Sequence, residues 1–403
     1  MSESVVTIEK VVAGGDGLAH LDDGRVVFVG ASMPGERVAA EVVAAKRDFA
    51  RASMLRSIDA SPHRVEPPCP ALAAGCGGCA WQHIAPEHQL ELKVEIVREA
   101  LRRTGHLPDA SVHAAGAVAP WAYRTTVRLA AGPDGRFGLR RAHDHRIVAL
   151  DDCLVAHPSL TELFAQLRSG PGAEVSLRVG VASGERSAVV HSGSSRRAPR
   201  LTGLPGDVGI GEAAVVHERV AGVDLQVSAA SFFQSGPQAA ELLVDEVAAA
   251  CAGHDGARLL DAYGGVGLFA AALPGAASSA VTVVESSAAA CVDARLNLAG
   301  RDAVVACSTV EDWRPVPVDL VVADPARAGL GRHGAARLAA TGAGRIVLVS
   351  CDPVALARDT GLLAALGYRH RTTAVLDLFP NTPHVEAVTT FDRAGAAPRH
   401  PDG

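Results

Sequence analysis

Apolar positions follow two different rhythms along this 403-residue chain. Over residues 1–58, short β-branched runs such as "SVVTIEKVV", "RVVFVG" and "RVAAEVVAA" are broken by the turn signals "GGDG" and "DDG". That pattern reads as about five short strands. Strands so short and so closely spaced predict a small closed barrel of the OB type. The Pro-rich stretch "SPHRVEPPCP" marks a boundary, and a helix over 86–104 follows. Pro86 suits its first position, Gly105 its stop, and Leu90, Val94, Val97 and Leu101 make one apolar stripe that can pack on a later domain. Strands return from about 120 to 220, with "GPDG" at 132–135 as a hairpin turn, so 59–222 reads as a β-rich central domain. Within it "HSGSSRRAPR" (191–200) is expected to be a flexible loop.

From residue 223 the rhythm changes. "RLLDAY", "AVTVVE", "VDLVVAD", "RIVLVSC" and "VEAVTTF" read as buried strands, and helical segments alternate with them. One, "SSAAACVDARLNLAG", has a Ser cap and Gly300 as its stop. Residues 223–393 are therefore expected to form a doubly wound α/β domain, followed by a disordered tail over 394–403.

Composition adds limits rather than a function. At 48% hydrophobic and 20% charged residues the chain is a soluble globular type. No signal-peptide pattern and no membrane-spanning apolar run is present in the sequence, so a cytoplasmic protein is expected. A net charge of -6 excludes a uniformly basic coat, though not a local basic groove. Two arginine-rich stretches are candidates: Lys46, Arg47, Arg51 and Arg56 at the end of the barrel, and Arg124, Arg128, Arg136, Arg140, Arg141 and Arg146 in the central domain. All but three of the 38 basic residues are arginine, which base composition of the genome explains as well as phosphate binding does.

Four constellations carry chemistry. In "LLDAYGGVGLFA", a strand, a glycine turn and a helix offer backbone N–H groups to a ligand. Gly265, Gly267 and Ala270 match G-x-G-x-x-G/A, and Glu285 ends the next strand, where a carboxylate accepts from ribose hydroxyls. NAD and S-adenosylmethionine both fit this turn; Asp261 ahead of the glycines favours the latter. In "VVADPARAG" a buried strand ends on Asp324, held at the ligand edge by the following proline. In "VLVSCDP" another buried strand ends on Cys351, and Glu386 stands second in the last strand, "VEAVTTF". If that strand runs antiparallel beside the one ending at Cys351, thiol and carboxylate meet. Uracil C5 is a poor nucleophile until a thiolate adds at C6, and a base must later remove the C5 proton. Cys351 suits the first task and Glu386 the second, and the site is expected to lower the thiol pKa. The fourth constellation is "CPALAAGCGGC" with Cys153. Cys69, Cys76, Cys79 and Cys153 could hold zinc or an iron–sulfur cluster, and the spacing does not choose. Cys251, Cys291 and Cys307 read as core.

"CGGCAWQH", "SFFQSG", "DAYGGVGLF", "DPARAGL", "VSCDP" and "DLFPNTPHVE", in that order, give the chain a resemblance to the RNA uracil-C5 methyltransferases. Within them it is most similar to the 23S ribosomal RNA branch with an N-terminal TRAM barrel and a [4Fe-4S] cluster. The resemblance spans nearly the whole chain. It implies a Rossmann-like class I methyltransferase domain behind the barrel and the central domain with its cluster loop. It also implies Cys351 as nucleophile, Glu386 as base, and cofactor contacts from Gln234, Tyr263, Gly265, Gly267, Glu285 and Asp324. It favours iron–sulfur over zinc at the four cysteines. The partner it implies is RNA with an accessible loop uridine, acted on by a monomer. The chain departs from the family pattern at Gly236, Ala326 and Asp352, where Asn, Pro and Asn are usual, and its first two cysteines stand one residue further apart. Three alternatives remain open: a transfer RNA substrate for the same reaction, a nicotinamide-dependent oxidoreductase, and a non-catalytic RNA-binding protein.

Overall fold

The computed structural model describes residues 3–142, 144, 146–191, 200–254, 256–273 and 280–395. The loop expected at 191–200 and the tail expected at 394–403 fall almost wholly outside them. Six strands come first: β1 (Glu3–Thr7), β2 (Lys10–Val11), β3 (Gly17–His20), β4 (Val26–Gly30), β5 (Arg37–Ala45) and β6 (Phe49–Asp59). They form one sheet in the order β1-β5-β6-β4-β3-β2. A single apolar cluster draws Val6 and Ile8, Ala19, Val27 and Val29, Val38, and Ala50 from across that order, so the sheet curls around its own core. Of the basic residues at its end, Arg51 pairs with Asp16 and Arg56 with Glu3. Lys46 lies 5.3 Å from the Phe49 ring centroid.

The chain continues through α1 (Pro70–Ala73), α2 (Pro86–Arg103) and β7 (Val112–Ala117) into a second sheet. This holds β8 (Thr126–Ala131), β9 (Phe137–Arg140), β10 (Ile147–Ala149), β11 (Glu174–Val179), β12 (Arg186–His191) and β13 (Val208–Ile210), with α3 (Pro158–Phe164) packed on it through Leu160 and Phe164. Its arginines are less bare than the sequence suggests: Arg128 and Arg140 share Glu174, Arg136 meets Asp151, and Arg146 meets Asp144. A hairpin of β14 (Val215–Val220) and β15 (Val223–Ser228) follows.

The last part alternates: α4 (Pro237–Cys251), β16 (Leu259–Ala262), α5 (Leu268–Ala272), β17 (Val281–Glu285), α6 (Ala288–Asn297), β18 (Ala303–Cys307), β19 (Leu320–Ala323), α7 (Gly331–Ala340), β20 (Arg345–Ser350), α8 (Pro353–Ala365), β21 (Tyr368–Asp377) and β22 (Glu386–Arg393). Its sheet runs β18-β17-β16-β19-β20-β22-β21-β7. Strands β16 to β20 pair in parallel, and β22 is antiparallel to both neighbours. Alternate residues of β20 enter opposite cores, Val347 and Val349 on one face, Ile346 and Leu348 on the other. Burial on both faces is why these strands read as unbroken apolar runs. The order reverses between β16 and β19, and ligands bind at the carboxyl ends of strands at such a point.

One boundary differs from the sequence expectation. Residues 86–117, read with the central domain, join the catalytic sheet: β7 pairs in parallel with β21, and α2 buries Val94, Val97 and Leu101 in the same core as α8. The hairpin β14–β15 also adds Val216, Leu225 and Val227 to the catalytic core, so β14 joins it ahead of residue 223. Fully buried Lys93 on α2 reaches Asp377 Oδ1 at 2.6 Å and the Phe379 carbonyl at 3.1 Å. Beside it, Gln89 accepts from the Asn381 backbone N–H at 2.6 Å. Removing one partner of such a pair strands a buried charge, so α2 pins the loop that leads into β22.

Candidate active site

Register places the two reactive side chains. Ser350, the last residue of β20, stands opposite Ala387 of β22, so the next step of the antiparallel pair sets Cys351 against Glu386. Asp352 does not compete as an acid. Its carboxylate caps α8, accepting from the Val354 and Ala355 N–H groups at 3.0 and 2.8 Å, and Pro353 opens the helix.

Asp324 follows β19 on the neighbouring strand and accepts from Gln234 Nε2 at 3.5 Å. Gln234 belongs to the "SFFQSG" loop between β15 and α4. That loop is tied on both sides: the Thr125 N–H donates to the Ser235 carbonyl at 2.8 Å, and Ser235 Oγ to the Leu378 carbonyl at 3.1 Å. At Gly236 a Cβ would stand 2.5 Å from the Tyr123 carbonyl oxygen, so the departure from Asn at this position follows from the close approach of that backbone. Phe232, in the same loop, leaves 71% of its surface exposed, an unusual cost for a large aromatic unless a partner covers it.

The glycine turn lies at the carboxyl end of β16. Gly265 and Gly267 have φ +55° and +82°, which favour glycine. Tyr263 just before them also has a positive φ, +59°, and its hydroxyl donates to Glu311 at 3.0 Å. A bulky residue held there marks a constrained turn. Glu285, ending β17, accepts from Gly265 N–H at 2.9 Å and Ser287 N–H at 2.6 Å. Asp261 is fully buried; its Oδ2 accepts from the Ala270 N–H at 3.0 Å, while its Oδ1 has no partner among the described residues.

These carboxyls set the electrostatics. Burial pushes Asp324 up to about 7. Burial, with smaller contributions from Asp324 and Glu285, does the same to Asp261. Glu386 is raised well above the usual range by burial and then by Asp324. The thiol expectation is corrected here: Cys351 is not lowered but pushed up to about 11, by burial first and then by Glu386 and Asp324, with Arg327 opposing. A pocket walled by crowded carboxyls repels a pyrophosphate and attracts a cation such as a sulfonium. The site is thus charged against a dinucleotide and suited to S-adenosylmethionine.

The sequence reading gave no site role to a group of side chains around Arg327, although it named Arg124 among the basic candidates. Arg327, within "DPARAGL", lies 3.4 Å from His384 Nδ1. His384, two residues before Glu386, packs edge-on to Phe379 with centroids 6.0 Å apart, and its pKa falls to about 4 through burial and the nearby cations. Arg124 sits 6.0 Å from the Phe379 centroid on one side and lines the cysteine cavity on the other. Their motifs were quoted in the sequence reading; only the fold shows that they converge.

All four predicted cysteine ligands, Cys69, Cys76, Cys79 and Cys153, line one cavity of about 200 Å³. Among the described residues no three side chains already stand in metal-ligating geometry. Gln82 also lines this cavity, and its Nε2 is buried without a partner among the described residues. Burial raises the Cys76, Cys79 and Cys153 thiols, Cys79 up to about 11.

Fold and site together define a class I S-adenosylmethionine-dependent methyltransferase. A TRAM domain matches residues 2–55. An uncharacterised RNA methyltransferase of Streptomyces coelicolor is 38% identical, covering 97% of this chain and 93% of its own. The 23S rRNA (uracil(1939)-C(5))-methyltransferase RlmD of Alkalilimnicola ehrlichii is 33% identical over 94% of each chain. The crystal structure of Pyrococcus abyssi tRNA (uracil-54, C5)-methyltransferase in complex with S-adenosyl-L-homocysteine superposes with a TM-score of 0.72 at 26% identity, covering 97% of this chain and all of that one. The chain belongs to the RNA (uracil-5-)-methyltransferase family. The oxidoreductase and the non-catalytic readings end there. No helix among the described residues is long and apolar enough to cross a membrane.

Proposed function

We propose that the protein methylates C5 of a uridine in 23S ribosomal RNA through a transient Cys351–C6 bond. The observation that carries this is Cys351 facing Glu386 across the β20–β22 register, beside the carboxyl-lined cofactor turn. S-adenosylmethionine, when bound, supplies an electrophilic methyl on a positive sulfur. Glu285 would then take the ribose hydroxyls, the glycine turn would hold the nucleoside, and Gln234, Tyr263 and Asp324 would hold the rest of it. A cation so placed favours the ionised forms of the surrounding acids, and Arg327 favours the Cys351 thiolate. The thiolate adds to C6, the enolate formed makes C5 nucleophilic, and the methyl is transferred to C5. Glu386 removes the C5 proton, and the C6–S bond breaks to restore the ring and release the thiolate. The uridine must leave its stack to reach the thiol. Exposed Phe232 and the Arg124–Phe379–His384 group would offer stacking surfaces to the uridine and its neighbours.

The name of the Alkalilimnicola ehrlichii relative favours ribosomal RNA, and that of the Pyrococcus abyssi structure favours transfer RNA as the second reading. Purified protein with methyl-labelled cofactor is expected to place label in 5-methyluridine of 23S RNA lacking the modification. Label in transfer RNA alone selects the second reading; label in neither rejects both.

For the cysteine cavity we propose a [4Fe-4S] cluster rather than zinc. Its volume is several times the roughly 30 Å³ share of one water, more than a single ion needs. The unpartnered Gln82 amide is a donor, as a sulfide or thiolate sulfur requires. Cys69, Cys76, Cys79 and Cys153 would hold the group, which would order residues 69–79. Anaerobically purified protein is expected to carry iron and sulfide in equal amounts; colourless protein with stoichiometric zinc contradicts this.

The raised carboxyls give a pH dependence with a definite sign. Asp261 and Asp324, both raised to about 7, are partly protonated near neutral pH in the free pocket. A bound sulfonium lowers both pKa values, so binding releases protons and tightens as pH rises. Affinity for S-adenosylmethionine is expected to increase several-fold from pH 6 to 8 and then level. A flat or falling calorimetric profile contradicts the assignment.

A further inference from the structure

Two thiols outside the catalytic site stand together. Cys307 ends β18, the edge strand of the catalytic sheet, and is exposed rather than core as its sequence suggests. Cys291, on α6, is fully buried beneath it, and the two Sγ atoms are 2.7 Å apart. A disulfide needs about 2.05 Å between them. Both thiols surround Glu285. Cys307 is its register partner across β17–β18, Cys291 Sγ donates to its carbonyl oxygen at 3.3 Å, and the Ser308 N–H donates to the same oxygen at 2.9 Å. The carboxylate of that same residue holds the Gly265 and Ser287 N–H groups.

We propose that Cys291 and Cys307 are a reversible redox modification site that takes a low-molecular-weight disulfide as its oxidant and weakens cofactor binding through Glu285. The cofactor half of this proposal rests on the methyltransferase reading of the pocket. The exposed Cys307 thiolate attacks one sulfur of the small disulfide; that S–S bond breaks and one small thiol leaves with its proton. Cys291 then attacks the Cys307 sulfur of the mixed disulfide and expels the second small thiol. The two protein thiols are oxidised by two electrons, and the small disulfide is reduced to two thiols that carry the two protons. Closing the bond removes the S–H donor from the Glu285 carbonyl and draws α6 toward β18. The start of α6 and the glycine turn both hang on the Glu285 carboxylate, so the ribose contacts move with it.

The test uses the full-length protein and oxidised glutathione as the probe. Peptide mass mapping is expected to show residues 291 and 307 linked, with calorimetric affinity for S-adenosylmethionine falling about tenfold, within the range typical of coupled sites, and dithiothreitol restoring it. Cys307→Ser, checked for folding by circular dichroism, should bind the cofactor normally and keep its affinity through the same treatment. Absence of the 291–307 link overturns the site. A link without an affinity change, or an equal loss in Cys307→Ser, overturns the coupling to Glu285. Reduced wild-type protein that binds no S-adenosylmethionine would reject the methyltransferase reading, and the mass map would still decide the thiol pair.

Discussion

Cys351→Ala is expected to abolish methyl transfer, lowering kcat/KM by roughly 10⁴-fold or more, while S-adenosylmethionine still binds within a few-fold of wild type. The argument is chemical before it is structural. C5 of a uracil does not attack a methyl group at a useful rate until a nucleophile has added at C6, and among the described residues no other thiol lies at the carboxyl ends of β19 and β20. The alanine leaves the glycine turn, Glu285 and Asp324 in place, so the loss falls on the chemical step. Radiolabel transfer and calorimetry on the same preparation check both halves. Retained turnover would reject the covalent route; lost binding would show that the thiol supports the pocket instead.

Glu386→Gln is expected to produce a different failure. The thiolate can still add and the methyl can still transfer, but the C5 proton has no acceptor, and release slows by about 10²–10⁴-fold, the usual scale for a positioned base. Enzyme joined to methylated RNA should therefore accumulate on a denaturing gel, with little free product. The amide keeps the shape of a side chain that is only 4% exposed, so folding is not the issue. It also relieves the repulsion that raises Cys351, whose largest charged neighbour is Glu386. Adduct formation should not slow, which separates this failure from a loss of thiol reactivity. A variant that neither turns over nor forms adduct would place Glu386 earlier in the reaction.

Much of this site was legible in the order of residues. A strand that ends on Cys351, another that ends on Asp324, and a final strand opening on Glu386 specify which side chains reach the sheet edge, because a doubly wound sheet gathers strand ends there. The glycine turn and Glu285 are legible for the same reason. What was not legible depends on contacts far apart in sequence. Helix α2 and strand β7 join the catalytic sheet although they precede it by more than a hundred residues; the stripe on α2 allows packing on a later domain, but nothing in 112–117 marks a strand of that sheet. The first half of β21, "YRHRT", is polar because it is largely exposed and pairs with β22 alone, so it does not read as a buried strand.

Charge was misjudged for similar reasons. Arginines of the central domain look like a nucleic-acid surface until Glu174, Asp151 and Asp144 are found against them. The thiol was expected to be acidic because its reaction needs a thiolate. Without a cation in the pocket, burial of the thiol dominates instead, and Glu386 and Asp324 add to it. Cys307 looked like core because "AVVAC" is apolar, yet β18 is an edge strand and leaves its last side chain in solvent.

The central claim is a transient bond between the sulfur of residue 351 and a pyrimidine ring. RNA carrying 5-fluorouridine at the target position, incubated with the protein and S-adenosylmethionine, tests it most directly: after methyl transfer C5 has no proton for Glu386 to remove, so the bond cannot be undone. A denaturant-stable complex is predicted, with the methylated fluoropyrimidine mapped to the peptide that contains Cys351. No complex, or one attached to any other residue, contradicts the account.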